Sequence, residues 1–155
     1  MANAAATKLN TLKTGWNDEY TKAVAADNQV RKQAFDDAYT ALTKTYADDV
    51  DVIARLSKLS YADGYGEELK DVVGENGIYT YADKIRKLKT DTENAYASTV
   101  APTLFDGGEK FKEQANTMKS EIDAITTRYT KLVNEFAETT YNTKAQEVET
   151  ALADA

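Results

Sequence analysis

Two interleaved rows of apolar residues, each repeating every seven positions, constrain the fold of this chain more than any other feature. One row is Phe111, Met118, Ile125 and Leu132, and the other is Ala115, Ile122, Tyr129 and Phe136. Together they alternate at spacings of four and three residues, which is the pattern of a coiled-coil seam. The pattern therefore predicts one continuous helix whose apolar face packs against another helix.

The predicted bounds of this helix are 106–152. Asp106 is suited to open it, because its carboxylate can accept hydrogen bonds from the first free amides while Glu109 reaches back. Beyond the two rows the seam positions become polar, and Val148 and Leu152 then resume an apolar pattern in a shifted phase. A four-residue insertion in the heptad pattern produces such a shift, so looser packing is expected there.

A second long helix is predicted over 16–62, where neither Gly nor Pro interrupts a series of apolar residues at spacings of three and four. Residues 1–15 are expected to form an N-terminal arm, and Gly64 is expected to close the helix. The residues expected to face the seam are Trp16, Phe35, Leu42 and Ile53. Because the two long helices are similar in length, they are predicted to form an antiparallel pair.

A Gly-rich connector is predicted over 64–79, followed by a shorter helix over 80–101. Thr80 and Asp83 resemble a capping box that opens the short helix, and Pro102 ends it. Residues 1–155 are thus predicted to form a single all-α domain. We expect an elongated antiparallel helical bundle, a coiled-coil-like hairpin of two long helices plus one shorter helix that leaves part of the apolar stripe uncovered.

Several classes of chemistry are excluded by residue types that the chain lacks. It has no His and no Cys, which removes Ser-His-Asp and Cys-His catalysis, His-ligated zinc and the di-iron site of ferritin-like bundles. No phosphate-binding loop or dinucleotide fingerprint is present. The acidic cluster at Asp48, Asp49 and Asp51 lacks the spacing of an EF-hand. We therefore predict no enzymatic activity, no catalytic or metal-binding residues and no cofactor.

The charge balance argues against a nucleic-acid partner, and the distribution of apolar residues argues against a membrane. The chain carries 26 acidic and 19 basic residues, a net charge of -7, which would repel a nucleic-acid backbone. No apolar run is long enough for a signal-peptide core or a membrane span. The prediction is a protein made in the cytoplasm that binds neither nucleic acid nor membrane. The sequence does not determine its final location, for which a virion or another extracellular particle is one candidate.

Four tyrosines flank the Gly-rich connector and form the candidate partner loop: Tyr61, Tyr65, Tyr79 and Tyr81. One interpretation is that their rings pack on neighbouring residues while their hydroxyls meet water. The other is that they recognise a partner, because binding residues concentrate on loops held by rigid elements. Both interpretations remain open at the level of sequence.

The function expected from these patterns is that of a non-enzymatic structural or assembly protein. Such a helical building block would pack through its apolar stripe against copies of itself or a larger particle, for example a phage virion or a secretion apparatus. The low content of Leu, Ile, Val and Phe, 28 residues, beside 24 Ala suits a thin helical interface. The alternative is a soluble adaptor that captures a partner helix in the uncovered groove.

Overall fold

The computed structural model describes residues 2–58 and 77–155. Three α-helices account for nearly all of them: α1 (Ala2–Leu56), α2 (Tyr81–Ser98) and α3 (Gly107–Asp154), with a short 3-10 helix (Ile78–Thr80) before α2. The described part of the chain is 91% helical and contains no strand. The predicted all-α helical bundle is confirmed.

Helix α1 begins much earlier than the sequence pattern indicated. It starts at Ala2, so the prediction of a separate N-terminal arm over 1–15 is wrong. The arm is rich in Ala, the best helix former, and a single Gly in a helix interior costs only about 1 kcal/mol, so Gly15 does not end the helix. At its other end α1 is assigned to Leu56, and residues 59–76, which hold most of the predicted connector, lie outside the described residues.

The chain divides into two compact units, and each helix contributes to both. Unit 1 comprises Met1–Thr40 and Lys87–Ala115, and unit 2 comprises Ala41–Arg86 and Asn116–Ala155. The buried apolar side chains of unit 1 are Val24, Phe35, Phe105, Phe111 and Ala115. Those of unit 2 are Leu42, Ile53, Ile78, Tyr81, Ile85, Ile122, Tyr129 and Val133. Each unit therefore has its own core.

Within unit 1 the two long helices run in the same direction. Gly108 lies against the backbone carbonyl of Arg31, and further along both helices the ring of Phe111 meets that of Phe35 edge-on at 4.6 Å. Later residues of α1 thus contact later residues of α3, which means that the two helices are parallel here. The prediction that the long helices form the antiparallel pair is therefore wrong for this unit. The physical reason is connectivity, because α2 lies between them in sequence and reverses the chain twice.

Helix α2 is the element that runs against its neighbours in unit 1. Its Lys89 ammonium lies 5.0 Å from the ring centroid of Tyr39, and later in α2 the ring of Tyr96 lies 5.8 Å from the ammonium of Lys32. The contacts thus move backwards along α1 as α2 proceeds. Within unit 1, α2 therefore runs antiparallel to α1 and to α3, the helices that precede and follow it in the chain.

A buried asparagine holds the turn between α2 and α3 onto α1 in unit 1. Asn28, 6% exposed, donates from Nδ2 to the carbonyl oxygen of Thr103 at 2.9 Å and accepts at Oδ1 from the backbone amide of Phe105 at 2.7 Å. The Phe105 ring is buried and meets Tyr96 edge-on at 5.2 Å. The side-chain amide of Asn28 thus provides hydrogen-bond partners for two backbone groups of the turn, which lie outside the helices and have no partner within a helical ladder.

Candidate interaction surfaces

The two predicted rows of α3 have different environments. Ala115, Ile122 and Tyr129 of the second row are buried, and Phe136 at its end is half-buried. In the first row Phe111 is buried, whereas Met118, Ile125 and Leu132 are half-buried. Val133 is fully buried although it belongs to neither predicted row. The second row therefore lies at the centre of the packed face and the first row lies along its edge.

The predicted seam residues of α1 separate into a buried set and one exposed residue. Phe35, Leu42 and Ile53 are buried, but the side chain of Trp16 is 65% exposed. The assignment of Trp16 to the packed seam is therefore wrong for the described residues. Helix α3 begins at Gly107, beside Arg31, so it starts too far along α1 to cover Trp16.

Trp16 instead belongs to an exposed apolar row, which we call the amino-terminal surface. Its members are Leu9, Leu12, Trp16 and Tyr20, and all four are exposed. Trp16 and Tyr20 stack with their ring centroids 5.5 Å apart and their planes almost parallel. From Leu12 onward the row advances in four-residue steps and leads directly into Val24 and Asn28, which are buried. Each four-residue step turns about 40° around the helix, so the row lies beside the packed face of α1, and no helix covers it among the described residues.

A matching row lies at the end of α3, and we call it the carboxy-terminal surface. Its members are Tyr141, Ala145, Val148 and Leu152. Tyr141 and Leu152 are each 72% exposed and Val148 is 59% exposed. Steps of four residues connect Tyr141 through Ala137 to the buried Val133. Two of its members, Val148 and Leu152, are the residues at which the sequence predicted a shifted apolar phase.

The tyrosines of the candidate partner loop are placed differently from one another. Tyr79 is half-exposed, but Tyr81 is buried, and its hydroxyl donates to Glu121 Oε2 at 2.6 Å. Burial, together with this hydrogen bond, raises the pKa of Tyr81 to about 12. The side chain of Tyr81 is therefore part of the core of unit 2 and is not available to a partner. Tyr61 and Tyr65 lie outside the described residues.

Unit 2 also contains a carboxylate pair that joins α1 to α3. Asp49 Oδ2 and Thr126 Oγ1 are both shielded from solvent, and neither makes a hydrogen bond of standard geometry. Burial raises the pKa of Asp49 to about 6, and the neighbouring Asp123 carboxyl adds to the effect. The sequence places Asp49 in an acidic cluster with Asp48 and Asp51, and the spacing of residues within α1 carries no information about its neighbours on α3.

Within 2–58 and 77–155, no three His, Cys, Asp or Glu side chains come together as potential metal ligands. Asp48, one of the acids of the candidate cluster, pairs with Lys44 at 2.5 Å.

None of the helices in the described part of the chain combines the length and the apolar character that crossing a bilayer requires.

A groove of about 500 Å³ runs along α3 in unit 2. Its lining side chains are Thr126, Thr127, Thr130, Lys131, Asn134, Glu135 and Glu138. Threonine, amide and charged groups offer none of the large apolar pockets into which an amphipathic partner helix places its anchors.

No family model matches this chain, and comparisons with curated proteins and with solved structures found no match. The class that the fold defines is an all-α helical bundle. The two exposed apolar surfaces are the features that carry a functional inference.

Proposed function

We propose that this chain is a non-enzymatic structural protein, a helical building block that packs against copies of itself or within a larger particle such as a phage virion or a secretion apparatus. The observation that carries the proposal is the exposed amino-terminal surface of α1, where every side chain from residue 3 to residue 20 is exposed. A lone helix of this length has little intrinsic stability in water. A partner that covers its apolar row would supply the missing stabilisation.

The chemistry of the exposed residues supports association. Burying a Leu, Val or aromatic side chain stabilises by roughly 1.5 to 3 kcal/mol, so a row of four such residues can support a stable contact. Contiguous apolar patches of this kind on a protein surface mark interaction sites. The same helix continues into the core of unit 1 at Val24, which is buried.

The adaptor alternative has less support. An adaptor of the kind considered would hold a partner helix in an apolar groove, and the groove along α3 is lined by threonine, amide and charged side chains. Most of the exposed large apolar side chains lie instead at the start of α1 and the end of α3. These exposed surfaces suit helix-to-helix packing between building blocks.

The single Trp of the chain provides a direct test of self-association. Because Trp16 is 65% exposed in the single chain, its emission should shift to shorter wavelength as association buries it. We expect sedimentation to show a mass that grows with protein concentration, and the emission shift should follow the same curve. A constant monomer mass with unchanged emission would contradict self-assembly and favour the adaptor.

A further inference from the structure

An acidic residue occupies a core-facing position of α1 in unit 2. Asp49 lies seven residues after Leu42 and seven residues before Leu56, and seven residues are close to two helical turns, so the three share one face of the helix. Leu42 is fully buried and Leu56 is half-buried. Asp49 therefore stands in the series of side chains that packs α1 into unit 2, between two apolar members of that series.

Across the contact with α3, Asp49 meets a second carboxyl group. The carboxyl of Asp123 lies close enough to act on Asp49 through both charge and hydrogen bonding. Oδ2 of Asp49 and Oγ1 of Thr126 are shielded from solvent, and neither makes a hydrogen bond of standard geometry. Two carboxylates are both acceptors, so they can share a hydrogen bond only while one of them carries a proton.

The other charged groups of unit 2 leave this carboxyl pair without a close cation among the described residues. On α1, Asp48 adds negative charge near Asp49 and itself pairs with Lys44. On α3, the half-buried Lys119 lies one turn before Asp123 and forms no ion pair with either carboxyl. The titratable residues that the 3-10 helix and α2 contribute to unit 2 act on or contact other side chains, and they are Tyr79, Tyr81, Asp83, Lys84 and Arg86.

We propose that Asp49 and Asp123 form a pH-sensitive clasp, which joins α1 to α3 in unit 2 while it holds a proton and loosens that contact when both carboxyls are charged. The protonated pair can hydrogen bond from one helix to the other. Loss of the proton leaves two like charges side by side, one of them partly shielded from water. The clasp goes beyond the proposed function and does not rest on it.

The direction of the effect follows from the environment of Asp49. Burial raises the pKa of Asp49 from 3.8 to about 6, and the Asp123 carboxyl adds to the effect. A carboxyl whose pKa is raised on folding stabilises fully below its unfolded pKa, and this contribution is lost as the pH rises through the folded pKa. The contact between α1 and α3 in unit 2 is therefore tighter in mild acid than at neutral pH.

Unit 1 provides a reference within the same chain. Its buried polar side chains are Asn28 and Thr92, and neither an amide nor a hydroxyl titrates in this pH range. A clasp at Asp49 should therefore change the opening of unit 2 with pH and leave the opening of unit 1 nearly constant.

Hydrogen exchange of backbone amides, followed by NMR, measures the opening of each unit separately. After correction for intrinsic exchange rates, we expect protection of the amides at 42–53 and 122–133 to be about fivefold lower at about pH 7.5 than at about pH 5. Amides at 24–35 in unit 1 should change by less than about twofold. An equal change in both units would overturn the proposal, because it would place the effect outside the clasp.

Two variants separate the carboxyl pair from the burial of a single acid. Asp49→Asn keeps the shape of the protonated side chain without a titrating group and should abolish the pH-dependent change in unit 2. Asp123→Asn should reduce the change to about twofold, since the burial of Asp49 remains while the second charge is removed. The exposed Asp51→Asn variant, in the same helix, is the matched control and should retain the full change. A full change in Asp123→Asn would show that Asp49 acts without its neighbour and would overturn the clasp.

The carboxyl carbon resonance of Asp49 gives a readout that does not depend on folding stability. We expect it to titrate with a pKa of about 6, and Asp123→Asn should lower that pKa. A pKa for Asp49 at its ordinary value of 3.8, or one that Asp123→Asn leaves unchanged, would contradict the shared proton.

Discussion

At the scale of single residues, two buried polar groups have opposite effects on stability. Asn28 has both of its amide groups satisfied by the turn before α3, so it stabilises the position of that turn. Asp49 has a shielded carboxylate oxygen without a hydrogen bond of standard geometry, so its charged form is disfavoured in the folded state. The two residues differ because the turn before α3 offers hydrogen-bond partners to Asn28, whereas α3 places the carboxyl of Asp123 beside Asp49.

Replacing Asn28 by Leu should destabilise unit 1. Leu has the same number and branching of side-chain heavy atoms as Asn, but it leaves the amide of Phe105 and the carbonyl of Thr103 without partners, and each buried unsatisfied group costs about 1 to 3 kcal/mol. We expect the free energy of unfolding, measured with urea, to fall by about 3 kcal/mol. Asn116→Leu, at an exposed position of α3, is the control and should change it little.

Asp49 should lower the free energy of unfolding as the pH rises, which is opposite to the usual effect of a carboxylate. Its pKa rises from 3.8 to about 6 on folding, so the folded state binds the proton more tightly. The stability contribution of this group is therefore lost as pH rises through that interval and stays low above it. Asp49→Asn should stabilise the protein by about 1 kcal/mol more at neutral pH than near pH 4, which is less than the full pKa change implies because the side chain is only partly buried and solvent screens its charge.

Thermal unfolding of Asp49→Asn and of the original protein at both pH values measures this difference. The exposed Asp51→Asn variant, in the same helix, serves as the control and should show no such pH-dependent gain. Equal stabilisation by Asp49→Asn at both pH values would contradict the raised pKa.

At the scale of elements, the close approach of α1 and α3 depends on a residue without a side chain. A Cβ atom at Gly108 would lie 2.8 Å from the backbone carbonyl oxygen of Arg31, which is closer than real contacts allow. The absence of a side chain at Gly108 therefore sets how near the beginning of α3 can lie to α1. The helix-start signal of Asp106 and Glu109 carries no information about this contact.

Gly108→Ala and Gly15→Ala form a matched pair of substitutions in helices. The first should lower the free energy of unfolding by about 1 to 3 kcal/mol, because the backbone of Arg31 must move. The second has nothing within 4 Å of the added atom and should raise helix stability by up to about 1 kcal/mol. Urea unfolding of both variants is the measurement, and equal changes would contradict the close approach.

At the scale of the whole molecule, stability and association should depend on different residues. Trp16 is large but 65% exposed, whereas Phe35 is 1% exposed. Trp16→Ala should leave the unfolding free energy of the dilute protein nearly unchanged and weaken association by tenfold or more. Phe35→Ala should cost about 3 to 5 kcal/mol of stability. Urea unfolding and sedimentation, applied to both variants, distinguish the two effects.

Sequence alone determined that the chain folds as three helices, although not where α1 begins, because helix formation depends on local signals. The uninterrupted helix formers of α1, Pro102 after α2 and the heptad rows of α3 are all readable over short windows. Those signals also located Phe111, Ile122 and Tyr129, which are buried.

Tertiary structure decided which part of each apolar face is covered. The direction of α3 along α1, the burial of Asn28 and the exposure of Trp16 depend on where one helix begins beside another. That register results from long-range packing, such as the contact of Gly108 with Arg31, and the apolar period of a single helix is the same whether or not a partner is present.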